Sequence, residues 1–370
     1  MERCRRPSHA TPPRWYKRYV GSRLRISIIS IAVAAALVLG LVGVSRGRAD
    51  ATPALQPVGA HELLASAIRA AAAPFTISGD VTSSIDIGLP DLPSNLGGGA
   101  AGPVASFFGT QHYKVWRSAD GVRVAHLSDF GEQVAVANAT DAWLWDSNGM
   151  RAVHLSKQAD AGTHRAWLAP ILGGTDTGTD PRKLDPSTLA AAALLGVAPY
   201  ADVSVDTTAV VAGRPVYRLV LTPSASETLI GRIAVSIDAA TRLPLQLSIT
   251  AKGASAPAVE VGYTSVSFDP IDPSVFAFAP PPGATVVTPP APTGQGHRHG
   301  EHPDTKVFGT GFATRVAVRL DRPLPGEAAA LLPFSGPLFS VLTVHADGST
   351  WVLAGFVGLD TLREDAATLP

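Results

Sequence analysis

Three histidines and one carboxylate stand close together in the C-terminal third of the chain. They are His297, His299, Glu301 and His302, in the run GHRHGEH. Imidazole and carboxylate groups at this density could bind Zn²⁺ or Cu²⁺. Protein metal sites, however, need ligands that neighbouring groups hold on a rigid frame, and these lie in a tract rich in proline and glycine. We interpret the tract as a solvated linker, keep His297, His299 and His302 as weak metal candidates, and predict no cofactor.

Other patterns that would indicate catalysis are missing from the sequence. The chain has no Gly-x-Ser-x-Gly nucleophile motif, no phosphate-binding glycine loop and no His-Glu-x-x-His helix. The triplet His-Leu-Ser occurs at 126–128 and again at 154–156, which we interpret as two similar strand ends. The single cysteine is Cys4, so the rest of the chain has no thiol nucleophile or thiolate metal ligand. We predict that the protein is not an enzyme and has no catalytic residues.

The N-terminal part of the chain has the charge pattern of a membrane anchor. Residues 1–25 hold eight Arg and Lys residues and one acid, Glu2, and residues 26–44 have no charge. At about 1.5 Å per residue, a helix over 26–44 approaches the ~30 Å thickness of the bilayer hydrocarbon. Basic residues flank such helices on the cytoplasmic side. The pattern predicts a single-pass membrane protein with a cytoplasmic N-terminus and most of the chain outside the cytoplasm.

A cleaved signal peptide is the alternative for this segment. Signal peptides have an apolar region of about 7–15 residues followed by small residues at the cleavage site. The apolar run here is longer, which favours an uncleaved anchor, but the following SRGRADA leaves cleavage after Ala49 or Ala51 open.

The part of the chain beyond the anchor is acidic. From Asp50 onward it has 29 acidic and 20 basic residues. Nucleic-acid binding needs a basic surface, so we predict no nucleic-acid partner. Without cysteine this part cannot form disulfides, and its stability must come from burying apolar side chains.

The elements that would position a site are mostly strands. Residues 61–73 have apolar positions at helical spacing and predict one helix, which Pro74 ends. Short alternating runs then follow, separated by Asp-Gly and Asn-Gly turns that are typical of antiparallel hairpins. A second helix is predicted at 185–195, between two such meanders.

Several of the predicted strands are apolar on both faces. Trp143 and Trp145 share one face of a strand, and Leu144 takes the other. A single-layer sheet that faces water should have polar residues on its outer side, so something apolar must cover each side of this one. Helices could cover one side, and the other could be a packed core or a cavity for an apolar ligand. The predicted lipid-binding residues are Val122, Val124, Val134, Val136, Trp143 and Trp145.

Four segments, in their order along the chain, are similar to a known group of envelope proteins. They are FTISG at 75–79, VAGRPVYRL at 211–219, IDAATRLPL at 237–245 and FAFAPPPGA at 276–284. Their order resembles that of the LolA/LppX-type lipoprotein and lipid carriers and of the related N-terminal domain of RseB/MucB sigma-factor regulators. The two middle segments are similar to strands of the actinobacterial, membrane-anchored relatives.

The resemblance implies a fold and a function. The fold would be mainly β (α+β), an unclosed antiparallel β-barrel wrapped over helices. The protein would bind a lipid or lipoprotein acyl chain in a hydrophobic cavity, for carriage or presentation at the cell envelope. The alternative is an envelope-stress sensor that regulates a sigma factor through a membrane protein partner.

These features together predict a domain organisation. A basic cytoplasmic tail (1–25) and a transmembrane helix (26–44) lead through a linker (45–57) into a LolA-like lipid-binding domain (58–284), a second linker (285–305) and a small α+β C-terminal module (306–370). In the module the pattern predicts strands at 313–320, 339–345 and 350–355, and helices near 327–332 and 359–364.

Overall fold

The computed structural model describes most of the region beyond the predicted anchor. The described residues are 54–88, 109–128, 131–156, 198–288, 304–320, 324, 329, 332–346 and 348–369. The predicted tail and transmembrane helix, the predicted helix at 185–195 and the histidine run lie outside these ranges. Within them, no helix is long and apolar enough to cross a bilayer.

One large sheet dominates the structure. Its strands are β1 (Ile77–Ile85), β2 (Gly109–Arg117), β3 (Gly121–Ser128), β4 (Gly131–Asn138), β5 (Asp141–Asp146), β6 (Arg151–Ser156), β7 (Ala201–Val205), β8 (Ala209–Val211), β9 (Arg214–Pro223), β10 (Ile230–Asp238), β11 (Pro244–Ala251), β12 (Val259–Ser267) and β13 (Thr285–Val287). Their order is β13-β6-β5-β4-β3-β2-β1-β12-β11-β10-β9-β7, and β8 also pairs with β9. All pairs are antiparallel except β13 with β6. Among the described residues the order is an open path, so the predicted unclosed, β-rich α+β architecture is confirmed.

Within the described ranges, one helix, α1 (Ala60–Ala72), packs on a face of this sheet. Leu63, Ala67 and Ala71 recur every fourth residue and are buried, which places them on one side of the helix. The helix ends at Ala72, and Ala73 after it has the extended backbone that is favoured before proline. The predicted helix at 61–73 is therefore confirmed. We call the face of the sheet that packs on α1 the inner face, and the opposite one the outer face.

The inner face carries the main apolar core. Leu63 and Ala67 of α1 cluster there with buried side chains of β1, β2 and β8–β12. The outer face of β9–β11 carries polar side chains, as in the cross-strand set Arg218, Ser236 and Gln246, and also buried apolar ones, as at Val220 and Ala234. The middle of β10 is therefore buried on both faces, since Ala234 and Ser236 on its outer face are buried like Ile233 and Val235 on its inner face.

The C-terminal segment forms a second sheet. Its strands are β14 (Thr305–Phe308), β15 (Arg315–Leu320), β16 (Phe334–Ser335), β17 (Ser340–Ala346) and β18 (Ser349–Gly355), in the order β14-β15-β18-β17-β16, followed by the helix α2 (Leu359–Ala366). The predicted strands at 339–345 and 350–355 and the helix at 359–364 agree with β17, β18 and α2. The predicted strand at 313–320 begins two residues later, because Gly311–Ala313 form a 3-10 turn.

The second sheet contacts the main sheet directly. The backbone N–H of Leu229 donates to the carbonyl oxygen of Phe356 at 2.7 Å, and the Thr228 hydroxyl donates to the same oxygen at 2.9 Å. Phe312 and Leu338 of the C-terminal segment belong to the main apolar core. The C-terminal segment thus contributes to the main core, although its sheet also has a separate apolar cluster that includes Trp351, Leu353 and Leu362. The predicted domain boundaries stay predictions.

Candidate ligand-binding face

The pairing register of β2–β6 decides which side chains share a face. In an antiparallel pair, residues directly opposite each other project to the same side of the sheet. Val134 lies opposite both Ala125 and Trp145, and Val136 lies opposite Trp143. Val124, in contrast, lies opposite Val115, which belongs to the core around α1. Val134, Val136, Trp143 and Trp145 are therefore on the outer face, and Val122 and Val124 are on the inner face.

The outer face of these strands is covered by the chain itself. Residues 271–284, which we call the strap, cross it and bring Phe276 and Phe278 against the tryptophans. The ring centroids of Trp143 and Phe278 are 5.5 Å apart, and those of Trp145 and Phe278 are 6.2 Å apart. Phe276 is buried in the same cluster. The strap is thus the apolar cover that the sequence pattern requires on this side.

Two polar contacts hold the strap in place. The guanidinium of Arg123 donates to the carbonyl oxygen of Val275 at 3.3 Å. The side-chain amide of Asn138 donates to the carbonyl oxygen of Phe276 at 3.0 Å. Gly121 allows the close approach, because a Cβ at this position would lie 2.8 Å from Cγ of Phe276. Since Arg123, Asn138 and Gly121 all belong to the outer face, the strap is joined to the sheet by both packing and hydrogen bonds.

His154 has a structural role on the outer face. Its ring stacks on Trp143 with centroids 4.0 Å apart and an interplanar angle of 15°. Its Nε2 lies 2.7 Å from Oδ1 of Asp141, which is on the neighbouring strand. The histidine is thus held between an aromatic ring and a carboxylate, as expected for a strand-end residue in a packed layer.

The inner face of β2–β6 carries an apolar row across five strands. The cross-strand set Val115, Val124, Ala135, Leu144 and Val153 is continuous in the pairing register. Val115 and Val153, at the ends of the row, are buried, whereas Val124, Ala135 and Leu144 are only half-buried. Of the side chains described on β3–β6, only Val124 belongs to the core around α1. The middle of the row therefore offers apolar surface that α1 does not cover.

A polar row borders this apolar row. Each of its members lies two residues away from the member of the apolar row on the same strand. The members, in cross-strand order, are Tyr113, His126, Gln133, Asp146 and Arg151. Nε2 of His126 lies 2.8 Å from Oε1 of Gln111, and the rings of His126 and Tyr113 are 4.9 Å apart. Burial raises the pKa of Tyr113 to about 12, and burial lowers the pKa of His126. Both groups are therefore uncharged at neutral pH.

The six predicted lipid-binding residues do not form one surface. Val134, Val136, Trp143 and Trp145 meet under the strap, while Val122 and Val124 lie on the opposite side of the sheet. Their lipid-binding role stays a prediction. The sequence reasoning did not select Ala135 and Leu144 for the site. Side chains alternate along β5, so Leu144 lies on the other face of the sheet from Trp143 and Trp145. This alternation was the signal that could have identified Leu144.

No candidate metal centre is found in the described part of the chain. Within those ranges, histidines, cysteines and carboxylates do not gather in groups of three or more. The weak candidates His297, His299 and His302 lie outside the described residues.

Comparison with protein-family models gave no match. Comparison with curated protein sequences also gave no match. Solved structures, in contrast, include similar folds. The chain is similar to MucB in the Pseudomonas aeruginosa MucA/MucB complex, with 17% identity, a TM-score of 0.46, and coverage of 82% of this chain and 96% of that one.

Two further solved structures are similar to the chain. One is a LolA-superfamily protein from Nitrosomonas europaea, with 10% identity, a TM-score of 0.22, and coverage of 60% of this chain and 99% of that one. The other is a putative outer membrane lipoprotein-sorting protein domain from Vibrio parahaemolyticus, with 11% identity, a TM-score of 0.22, and coverage of 56% and 93%.

The chain resembles LolA-superfamily and MucB structures. The resemblance recognised in the sequence is thereby confirmed, whereas its actinobacterial part has no support among these matches. Similarity at this level of identity and TM-score says nothing about ligand or partner, so function has to be argued from the chain's own residues.

Proposed function

We propose that the protein binds an acyl chain of a lipid or lipoprotein on the inner face of β2–β6, for carriage or presentation at the cell envelope and without chemical turnover. The supporting observation is the half-buried apolar row of Val124, Ala135 and Leu144. Apolar surface of this kind costs free energy when it faces water. An acyl chain laid along it would remove that cost, since each buried methylene contributes about 0.8 kcal/mol.

The outer face is the weaker candidate for this ligand. Its tryptophans are already packed against Phe276 and Phe278 of the strap. A ligand there would have to displace side chains that Arg123 and Asn138 help to hold in place. Binding at the inner apolar row needs no displacement of the strap, so the inner face is the stronger candidate for the acyl ligand.

The envelope location in this proposal is based on the sequence. The basic tail and the uncharged run at 26–44 predict an anchor that leaves the two sheets outside the cytoplasm. Reporter fusions test it: a fusion after residue 25 should be cytoplasmic, and a fusion after residue 160 should be external. Both reporters on the same side of the membrane would contradict this topology.

A matched pair of variants tests ligand binding. The full chain is extracted from its own membranes in detergent, and its bound lipids are identified by mass spectrometry. Leu144→Gln on the inner face should lower the amount of bound acyl lipid several-fold. Leu127→Gln is the control, because Leu127 is exposed on the outer face of the same sheet. Equal acyl lipid on both variants, or none on the natural chain, would refute the proposal.

We infer a second candidate, an envelope-stress sensor acting through a membrane protein partner, because the two sheets are coupled. The main-chain hydrogen bond from Leu229 to Phe356 and the placement of Leu338 in the main core tie the C-terminal sheet to the main one. A ligand that shifts the main sheet would therefore act on the C-terminal sheet as well.

Amide hydrogen exchange distinguishes carrier from sensor. In a sensor, adding an acyl lipid should change the exchange of amides in β17 and β18, which lie in the C-terminal sheet. In a simple carrier, the change should be confined to β2–β6. Unchanged exchange in β17 and β18 at saturating lipid would refute the sensor.

A further inference from the structure

The inner face of β2–β6 changes from apolar to polar within one step along the strands. The apolar row that includes Val124 and Leu144 is followed by the polar row that includes His126 and Asp146. Residues on one face of a strand are about 6.6–6.8 Å apart, so the boundary is one residue spacing wide. A surface with this division matches an amphiphile, with a tail on one side and a head on the other.

The polar row is accessible rather than buried in the core. Gln133 is exposed, and His126, Asp146 and Arg151 are half-buried. Tyr113 is buried at the end of the row next to α1. A head group could therefore reach the side chains of β3–β6 while the tail stays on the apolar row.

The row carries hydrogen-bonding groups and no net charge. The row contains one carboxylate, Asp146, and one guanidinium, Arg151, at opposite positions of β5 and β6, so its formal charge is zero. His126 and Tyr113 are uncharged at neutral pH, as argued above, and Gln133 is always uncharged. The row therefore has both donors and acceptors but no excess positive charge to favour an anion.

We propose that this polar row binds the head of the acyl ligand and selects uncharged ester or hydroxyl groups over phosphate. The inference depends on the acyl-binding function proposed above and deepens it. The tail would lie along Val124, Ala135 and Leu144, and the ester or hydroxyl oxygens would exchange hydrogen bonds with His126 and Gln133. An anionic phosphate would have to be desolvated beside the carboxylate of Asp146, in a row whose one guanidinium, Arg151, only balances that carboxylate.

The test uses two lipids that differ only in the phosphate. The full chain in nonionic detergent is given an equimolar mixture of monopalmitoylglycerol and palmitoyl lysophosphatidic acid, and the bound species are counted by native mass spectrometry. The natural chain should bind monopalmitoylglycerol at least 10-fold more. In Gln133→Leu and in His126→Leu this preference should fall at least fivefold.

His112→Leu is the control for these variants. His112 is next to Tyr113 on β2, so it lies at the same end of the strand as the polar row. It is exposed on the outer face, where it contacts the Thr82 hydroxyl. This variant should keep the full preference. Gln133 is exposed, so Gln133→Leu leaves the core intact even where His126→Leu lowers the melting temperature.

Three outcomes would overturn the inference. Equal binding of the two lipids, or a preference that Gln133→Leu and His126→Leu leave unchanged, would refute the head-group site while leaving acyl binding in place. Binding of neither lipid by the natural chain would refute acyl binding itself, and the head-group site with it.

Discussion

Trp143 and Phe278 face each other across the outer surface of the main sheet, with ring centroids 5.5 Å apart. The two residues are far apart in the sequence, and the contact joins β5 to the strap. Aromatic pairs at such distances contribute about 0.5–1.5 kcal/mol beyond the burial of their surface. The apolar outer face of this half of the sheet is therefore explained by packing within the chain, and the inner face is the candidate for ligand binding.

Trp145→Ala should destabilise the protein strongly. Trp145 is only 7% exposed and packs with Phe276 and Phe278 under the strap. Replacing a buried tryptophan by alanine leaves a cavity, which costs about 3–5 kcal/mol in the free energy of unfolding. Urea denaturation followed by circular dichroism measures the change. Leu127→Ala, at an exposed site, is the control, and equal losses in the two variants would show that the strap does not pack on Trp145.

Asp365→Ala should destabilise the C-terminal sheet. Asp365 of α2 accepts two hydrogen bonds from Arg315 of β15, at 2.7 and 2.9 Å, and the two side chains are only 10% and 12% exposed. Removing one partner of a buried ion pair leaves the other charge uncompensated and costs about 3–5 kcal/mol. Thermal unfolding measures the loss.

A second ion pair on the same helix is the control for Asp365. Asp360 pairs with Arg363 at the surface, and its side chain is 92% exposed. Exposed pairs contribute about 0–1 kcal/mol, so Asp360→Ala should change little. An Asp365→Ala variant as stable as Asp360→Ala would contradict the buried pairing.

Acid should weaken the fold through Asp238. Burial raises the pKa of this carboxyl, but hydrogen bonds from Arg214 and Thr241 lower it more, so its pKa in the folded protein is below the ordinary value. A group of this kind stabilises the fold above its unfolded pKa, about 3.9 for Asp. Its contribution is lost as the pH falls through the lower folded value.

Melting temperatures between pH 7 and pH 2 test the role of Asp238. The natural chain should lose stability below about pH 4 more steeply than Asp238→Asn, which has no carboxyl to protonate. At pH 7 the variant should melt at a lower temperature, because Arg214 loses its charged partner. If the melting temperatures of both proteins fall equally steeply below pH 4, groups other than Asp238 cause the loss of stability.

Gly336→Ala should loosen the contact between the two sheets. A Cβ at Gly336 would collide with the carbonyl oxygen of Ile87, which follows β1 of the main sheet. Forcing an extra methyl group into a packed site costs about 1–3 kcal/mol. Gly59→Ala is the control, because no atom lies within 4 Å of a Cβ built at Gly59. If both variants unfold at the natural temperature, the C-terminal sheet does not dock at this point.

Local patterns were enough to predict most of the elements. The spacing of Leu63, Ala67 and Ala71 indicated the helix, and Pro74 marked its end, because helix periodicity and the proline restriction act within a few residues. The turns at Asp120-Gly121 and Asn148-Gly149 likewise separated β2 from β3 and β5 from β6 correctly. Strands β13, β14 and β16 were missed, since each has four residues or fewer and shows too little alternation to be recognised.

The site could be predicted only in part. The sequence alone determined that this half of the sheet is apolar on both sides, that Trp143 and Trp145 share a face, and that Leu144 takes the other. It did not determine that Val124 joins the face of Leu144 rather than that of the tryptophans. That choice depends on the pairing register, in which a shift of one residue moves every side chain to the opposite face. The strap is also a tertiary result, because Phe278 meets Trp143 through a contact that no local pattern encodes.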